Sequence, residues 1–261
     1  MNRPPFGYGC AMIEVRDVHK SFGRVAAVRG VSFTARDGEI TGIIGPNGAG
    51  KTTILRIIYT VLMPDAGQTL VDGLDPRIDR RAVQRRIGVL PDVRGLYPRL
   101  TAREHVRYFG ELHGLADFAL EQRTDELITT LNMQDFADRR TRGFSRGQQM
   151  KVALARALVH DPHNVLLDEP TNGLDVATSR AVRDLVRGFR AEGRAILLSS
   201  HIMQEVAALA DRIIILSQGR IALQGTPEEL RRATGLTDLE EIFMMATGES
   251  FAAPSRLAGE D

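Results

Sequence analysis

Apolar residues recur along this chain in two rhythms. Aliphatic runs at 39–44, 87–90, 164–168, 195–199 and 212–216 are apolar at nearly every position, as strands buried on both faces require. They alternate with stretches of helical period, so the pattern predicts an α/β fold around a largely parallel sheet. Upstream, 13–18 and 31–35 alternate apolar and polar positions, which predicts a small antiparallel β layer at the N-terminal side. Between 101 and 160 the pattern predicts no strand. There Leu120, Leu127, Ile128 and Leu131 share one helical face, residues 121–126 read as its solvated side, and the stretch is expected to form an inserted helical subdomain. A last helical pattern, LEEIFMMATG, precedes a small, polar end at 250–261 that is expected to fray.

Composition narrows the classes. The 261 residues are 43% hydrophobic, enough for a sizeable core, and 34 Lys+Arg against 33 Asp+Glu leave a formal charge of +1. No global field draws such a chain to nucleic acid, so no nucleic-acid partner is expected and any partner must be recognised locally. Cys10 is the single cysteine, which excludes an internal disulfide and fits a reducing compartment. The opening residues lack the apolar and cleavage regions of a signal peptide, and no apolar run approaches the ~18 residues of a membrane span. Work at a membrane is therefore expected from the water side.

Gly45-Pro46-Asn47-Gly48-Ala49-Gly50-Lys51-Thr52 fits GxxxxGK[ST], and it lies between an apolar strand and a helical period, the context the motif requires. Glycines let the backbone curl round phosphate and present N–H groups, and the following helix adds its positive end. Lys51 supplies a point charge for the β- and γ-phosphates of a nucleotide, and the Thr52 hydroxyl, with Thr53 beside it, offers a hard oxygen ligand to Mg²⁺. A second strand ends in Asp168-Glu169. Neighbouring strand side chains point oppositely, but a turn at a strand end can bring both to one site. Asp168 is then expected in the Mg²⁺ shell, and Glu169 as the residue that orients or deprotonates the attacking water. Phosphate binding alone leaves kinases, GTPases, helicases and transport ATPases open.

Gly143-Phe144-Ser145-Arg146-Gly147-Gln148-Gln149, followed by an ARAL run at 155–158, resembles the signature segment of the ABC ATPases, usually LSGGQ. Ser145 stands where an N-cap hydroxyl belongs, and the helix start behind it forms a second anion site. Around it the family order continues. Pro170-Thr171-Asn172-Gly173-Leu174-Asp175 resembles the D-loop, Ser199-Ser200-His201 the switch histidine, and Lys20-Ser21-Phe22-Gly23 an adenine-stacking loop with Phe22 offering its ring face. The resemblance spans 13–248. It implies a P-loop NTPase core with the β layer and helical insert. It divides the chain into a flexible N-terminus at 1–12, a nucleotide-binding domain at 13–235 with the insert at about 93–160, and a C-terminal helix and tail at 236–261. It also implies ATP hydrolysis with Glu169, His201 and Lys51 as the catalytic residues. Two copies face to face would place Ser145, Arg146, Gly147, Gln148 and Asp175 of one on the nucleotide of the other.

Two positions depart from the family pattern. Asp92 stands where a Q-loop glutamine is usual; it can accept from Mg²⁺-bound water but, when ionised, cannot donate as an amide does. Arg146 replaces the first signature glycine. The stretch 87–104, together with GFSRGQ, resembles the sodium-exporting, NatA-like branch of ABC ATPases. That likeness implies a separate membrane permease, a place at the cytoplasmic face of the membrane held through that permease, and Na⁺ as the exported cargo. Segment 92–97 is the expected permease contact. The alternatives are an exporter of drugs or other solutes, and a soluble ABC ATPase outside transport. Translation factors of that last kind carry two cassettes and repair ATPases a long coiled coil, and neither is present in this sequence.

Overall fold

The computed structural model describes residues 12–248. Cys10 and the end at 250–261 lie outside the described residues, as do nearly all of 1–12.

Two sheets organise the fold. The first is antiparallel, in the order β2 (Val25–Arg36), β1 (Met12–Phe22), β4 (Ala66–Val71). Ile13, Val15, Val18, Val31, Phe33 and Ala35 turn one face of it into the core while charged neighbours face outward, the alternation read from sequence. The second runs β5 (Ile87–Leu90), β6 (Asn164–Asp168), β7 (Ala195–Ser200), β3 (Ile40–Ile44), β8 (Arg212–Ser217), β9 (Arg220–Gly225). Its first five strands are parallel and β9 returns antiparallel to β8. Every residue of β3, β6 and β7 is buried, the signature of strands covered on both faces.

The expected fold class is therefore what is observed, with two strands added. β4 and β9 were not anticipated: β4 reads AGQTLV, with Gly67 and two polar residues breaking the period, and β9 alternates with exposed Arg220 and Gln224 as an edge strand does. Each is held by a neighbour, β4 by β1 and β9 by β8, rather than by its own pattern.

Between β5 and β6 the chain is helical: α3 (Ala102–Leu112), α4 (Asp117–Thr130), a short 3₁₀ turn at Gln134–Phe136, and α5 (Arg146–Leu158). α3, α4 and α5 pack on one another, and α5 also packs on β5. Leu120, Leu127, Ile128 and Leu131 are buried as the period requires. The facing side is not all solvated, however. Thr124 is fully buried and its hydroxyl donates to the Leu120 carbonyl at 2.7 Å, which removes the cost of burying it. The remaining helices are α1 (Lys51–Ile58), α2 (Arg80–Arg86), α6 (Val176–Ala191), α7 (Met203–Leu209), α8 (Pro227–Thr234) and α9 (Leu239–Thr247). α9, the expected C-terminal helix, buries Leu239 and Ile242 against α7, α8, β8 and β9. Among the described residues no helix is long and apolar enough to cross a membrane.

Candidate functional site

The site forms at the C-terminal end of β3, where the chain leaves a fully buried strand and enters α1 through the loop 45–50. Gly50 is the N-cap of α1 with φ 105, and no side chain caps the helix, so the N–H groups of the first turn face outward for an anion. The glycines are dictated by space as well as by φ. A Cβ at Gly45 would collide with the Leu216 carbonyl of β8, and one at Gly50 would stand 2.5 Å from the Ala27 carbonyl of β2. The loop is thus clamped between both sheets.

Lys51 is 7% exposed, and its ammonium donates to the carbonyls of Gly45 at 2.6 Å and Pro46 at 3.3 Å. Burial lowers its pKa, opposed by the attraction of Glu169 and Asp168. Those carboxylates arrive on β6 and the residue after it. Asp168 is 3% exposed; it accepts from Ser199 Oγ of β7 at 2.5 Å and from Thr52 Oγ1 at 3.4 Å. Glu169 has φ 51, a left-handed turn uncommon for a residue other than glycine. That turn reconciles strand alternation with a shared site, since it lets Glu169 face the loop beside Asp168. Its Oε2 lies 2.8 Å from His201 Nδ1 and 3.4 Å from the His201 backbone N–H, so the imidazole is oriented by the carboxylate.

A pocket of about 550 Å³ is lined by Phe22, Ala27, the loop from Asn47 to Gly50, Lys51, Thr52, Thr53, Asp92, Glu169, Asn172 and His201. The expected stacking ring, loop, helix start, general base and histidine therefore converge. Gly45 and Pro46 lie behind Lys51, and Asp168 lies behind Thr52. Three contributors were missed, among them Ala27 of β2, which no motif in the sequence singles out. Ser199 was read only as part of the histidine segment, though it is the closest partner of Asp168. Asn172 was read only as part of a loop, though it lines the pocket.

Ser145, Arg146, Gly147, Gln148 and Asp175 do not line this pocket. Ser145 is the N-cap of α5, accepting from Gln148 N at 3.2 Å while Gln148 Oε1 accepts from Ser145 N at 3.0 Å. Asp175 caps α6, accepting from the Thr178 N–H and hydroxyl at 2.8 Å each, and these bonds hold its pKa below the usual carboxylate range. Within one copy these five residues thus form a second surface, built of helix N-termini.

Thr52 Oγ1 and Asp168 Oδ1 lie 3.4 Å apart and offer two hard oxygen ligands. Such a set fits Mg²⁺, which retains waters and shares its shell with phosphates rather than sitting in a protein cage.

The family model for the ABC transporter matches residues 28–172, from β2 through both carboxylates to the loop at Asn172. The chain belongs to the ABC transporter family. This ABC chain is 46% identical over 221 residues to the ABC transporter ATP-binding protein NatA of Bacillus subtilis, covering 84% of the chain and 90% of that relative. It is 36% identical over 233 residues to the Nod factor export ATP-binding protein I of Burkholderia lata, covering 89% and 77%. Its structure matches the dimeric post-hydrolysis state of the ATP-binding cassette MJ0796 bound to ADP and Pi with a TM-score of 0.75 at 26% identity, covering 82% of this chain and 98% of that one. The ABC resemblance read from 143–158 and its neighbours is thus established.

Proposed function

We propose that this chain is the ATP-hydrolysing subunit of an ABC exporter, working as two copies on a separate membrane permease and powering efflux of Na⁺. The observation that carries the ATPase reading is the convergence of Lys51, Thr52, Glu169 and His201 on one pocket, with Asp168 behind Thr52, beside an uncapped helix start. Lys51 and the N–H groups of 48–52 hold the β- and γ-phosphates of ATP, and Phe22, 47% exposed at the pocket edge, stacks on the adenine. Glu169 orients the attacking water and accepts its proton, and His201, held by Glu169, donates to the γ-phosphate. Thr52 and Asp168, with Asp92 through water, would hold Mg²⁺, which when bound neutralises charge on the phosphates.

The α5 start supports the second half of the reading. The start of α5 at Ser145 to Gln148 forms an anion-favouring surface away from the pocket, which a second copy would bring onto the first copy's nucleotide. The MJ0796 dimer with ADP and Pi supports the two-copy arrangement, and the two relatives, both ATP-binding proteins named for transport or export, support the exporter. For the permease, a groove of about 870 Å³ adjoins segment 92–97, lined by Arg85, Val89, Pro91, Phe109, Leu112 and Arg156 among others, and its mixed apolar and cationic wall suits a short amphipathic helix. Such a subunit would be held at the cytoplasmic face of the membrane through its partner. Na⁺ as cargo rests on the likeness of 87–104 to the sodium-exporting branch; the Nod factor relative favours a larger solute as the second reading.

ATPase activity of the purified chain, alone and with its candidate permease in Na⁺-loaded vesicles, tests this. Stimulation with ATP-driven Na⁺ movement is the expected result. Stimulation without Na⁺ movement leaves the exporter and removes the sodium assignment, and no ATP turnover in either setting overturns the whole reading.

A further inference from the structure

Arg146 is a charge placed where electrostatics disfavours it. It stands at the first position of α5, next to the positive end of that helix. Neither it nor Arg94 makes an ion pair or hydrogen bond with a carboxylate among the described residues, and Arg94 Nε is buried without a partner. Burial lowers the Arg94 pKa, Asp92 opposes that shift, and the nearby charge of Arg146 adds to it more weakly. A residue that breaks local charge rules without gaining a partner is poorly explained by stability alone.

Geometry shows what the side chain does. Gly173 has φ +70, and the place its Cβ would take is filled by Arg146 Nη1, with Cζ 3.1 Å and Cδ 3.3 Å away from that place. The guanidinium therefore lies directly on the backbone of the 170–175 loop. One residue on, a Cβ at Gly147 would stand 3.4 Å from the Thr178 side chain, which Asp175 holds at 2.8 Å. The start of α5 is seated on the loop and on the start of α6 together. The loop is stiff: Asn172 N donates to Glu169 O at 3.2 Å, Leu174 N donates to Thr171 O at 3.1 Å, and the Thr171 hydroxyl bonds Glu205. Asn172, adjacent to Gly173, and Glu169, bonded to Asn172, both line the pocket.

We propose that Arg146 is a positioning residue for hydrolysis: its guanidinium, seated on Gly173, ties α5 to the 170–175 loop and so fixes Asn172 and Glu169 against the phosphate loop. This rests on reading the pocket as an ATPase site. The N–H groups of Arg146 and Gly147 stay available to a phosphate from a second copy, while the exposed Arg146 side chain lies against its own chain. A movement of α5 then reaches Glu169 through one contact, which glycine at 146 could not provide.

The test is a double-substitution cycle on the full chain, Arg146→Gly, Gly173→Ala and both together, read by MgATP turnover and thermal unfolding. Arg146→Gly is expected to lower kcat about tenfold with KM for MgATP within about twofold, since sub-ångström misplacement acts on the chemical step. Gly173→Ala is expected to cost Tm in both backgrounds through its φ of +70, and to cost more in the wild-type background, where the methyl also displaces the guanidinium, than in Arg146→Gly. Arg146→Lys, which retains charge without the planar fork, is expected to recover only part of the rate. Additive losses in the cycle, or unchanged kcat in Arg146→Gly, would overturn the proposal. A raised KM at constant kcat would do so too, by making Arg146 a direct nucleotide contact. If the wild-type chain does not hydrolyse MgATP, it is the ATPase reading that fails, while the unfolding cycle still reports on the contact.

Discussion

Glu169 is bonded at its carboxylate by His201 and turned by φ 51 into the pocket, so its chemistry depends on its charge more than its bulk. Glu169→Gln keeps the shape and removes the carboxylate proposed as the base. Turnover should fall by at least about a hundredfold, the scale of a lost general base, while nucleotide binding persists and nucleotide-bound dimers accumulate, as seen by size-exclusion chromatography with ATP. Ser199 acts one layer behind. Its hydroxyl gives Asp168 a charge-assisted bond at 2.5 Å inside the core, and Ser199→Ala leaves that carboxylate free to rotate from Thr52. The Mg²⁺ concentration for half-maximal turnover should rise several-fold, with ATP affinity measured without the metal unchanged. The meeting of Lys51, Thr52 and Glu169 at one pocket was legible from residue type and spacing. The place of Ser199 beside Asp168 was not, because a serine in an apolar strand carries no signal until the neighbouring strand is known.

At the scale of elements, capping separates stability from function. Thr101 and Glu104 form a capping box on α3, away from the pocket. Thr101→Ala should cost about 1 kcal/mol, read by urea denaturation, and leave ATP affinity unchanged. The junction of the helical stretch with β5 carries a pH dependence. His160 donates to the Ile87 carbonyl at 3.1 Å and stacks on His113 with centroids 3.6 Å apart, and burial pushes its pKa from 6.5 down to about 4. The folded state therefore resists a proton that the unfolded chain accepts. Stability is fully present above pH 6.5 and is lost as pH falls toward 4, by roughly 3 kcal/mol. His160→Gln, which can still donate to Ile87, should flatten denaturation midpoints across that window. Strands with continuous or strictly alternating patterns were legible, and so was α4. β4 and β9 were not, because their residues fit a strand only once β1 and β8 supply the hydrogen-bonding edge.

For the whole molecule the decisive feature is the separation of the two anion-favouring surfaces, the loop at 45–50 and the α5 start at Ser145. If two copies share each nucleotide, a Lys51→Ala chain and a Ser145→Ala/Gly147→Val chain are each inactive alone, yet mixed dimers contain one complete site. Mixing the two should restore measurable turnover; no recovery on mixing would argue against the shared arrangement. The sequence by itself determined the α/β class, the phosphate loop, the paired carboxylates and the family, because backbone period and motif spacing are local properties that survive without coordinates. Only the tertiary structure decided that Glu169 turns left-handed to meet His201, that Ser199 underlies Asp168, and that Arg146 rests on Gly173. Each of these contacts joins segments that lie far apart along the chain, and only parallel strand order and helix packing bring them within bonding distance.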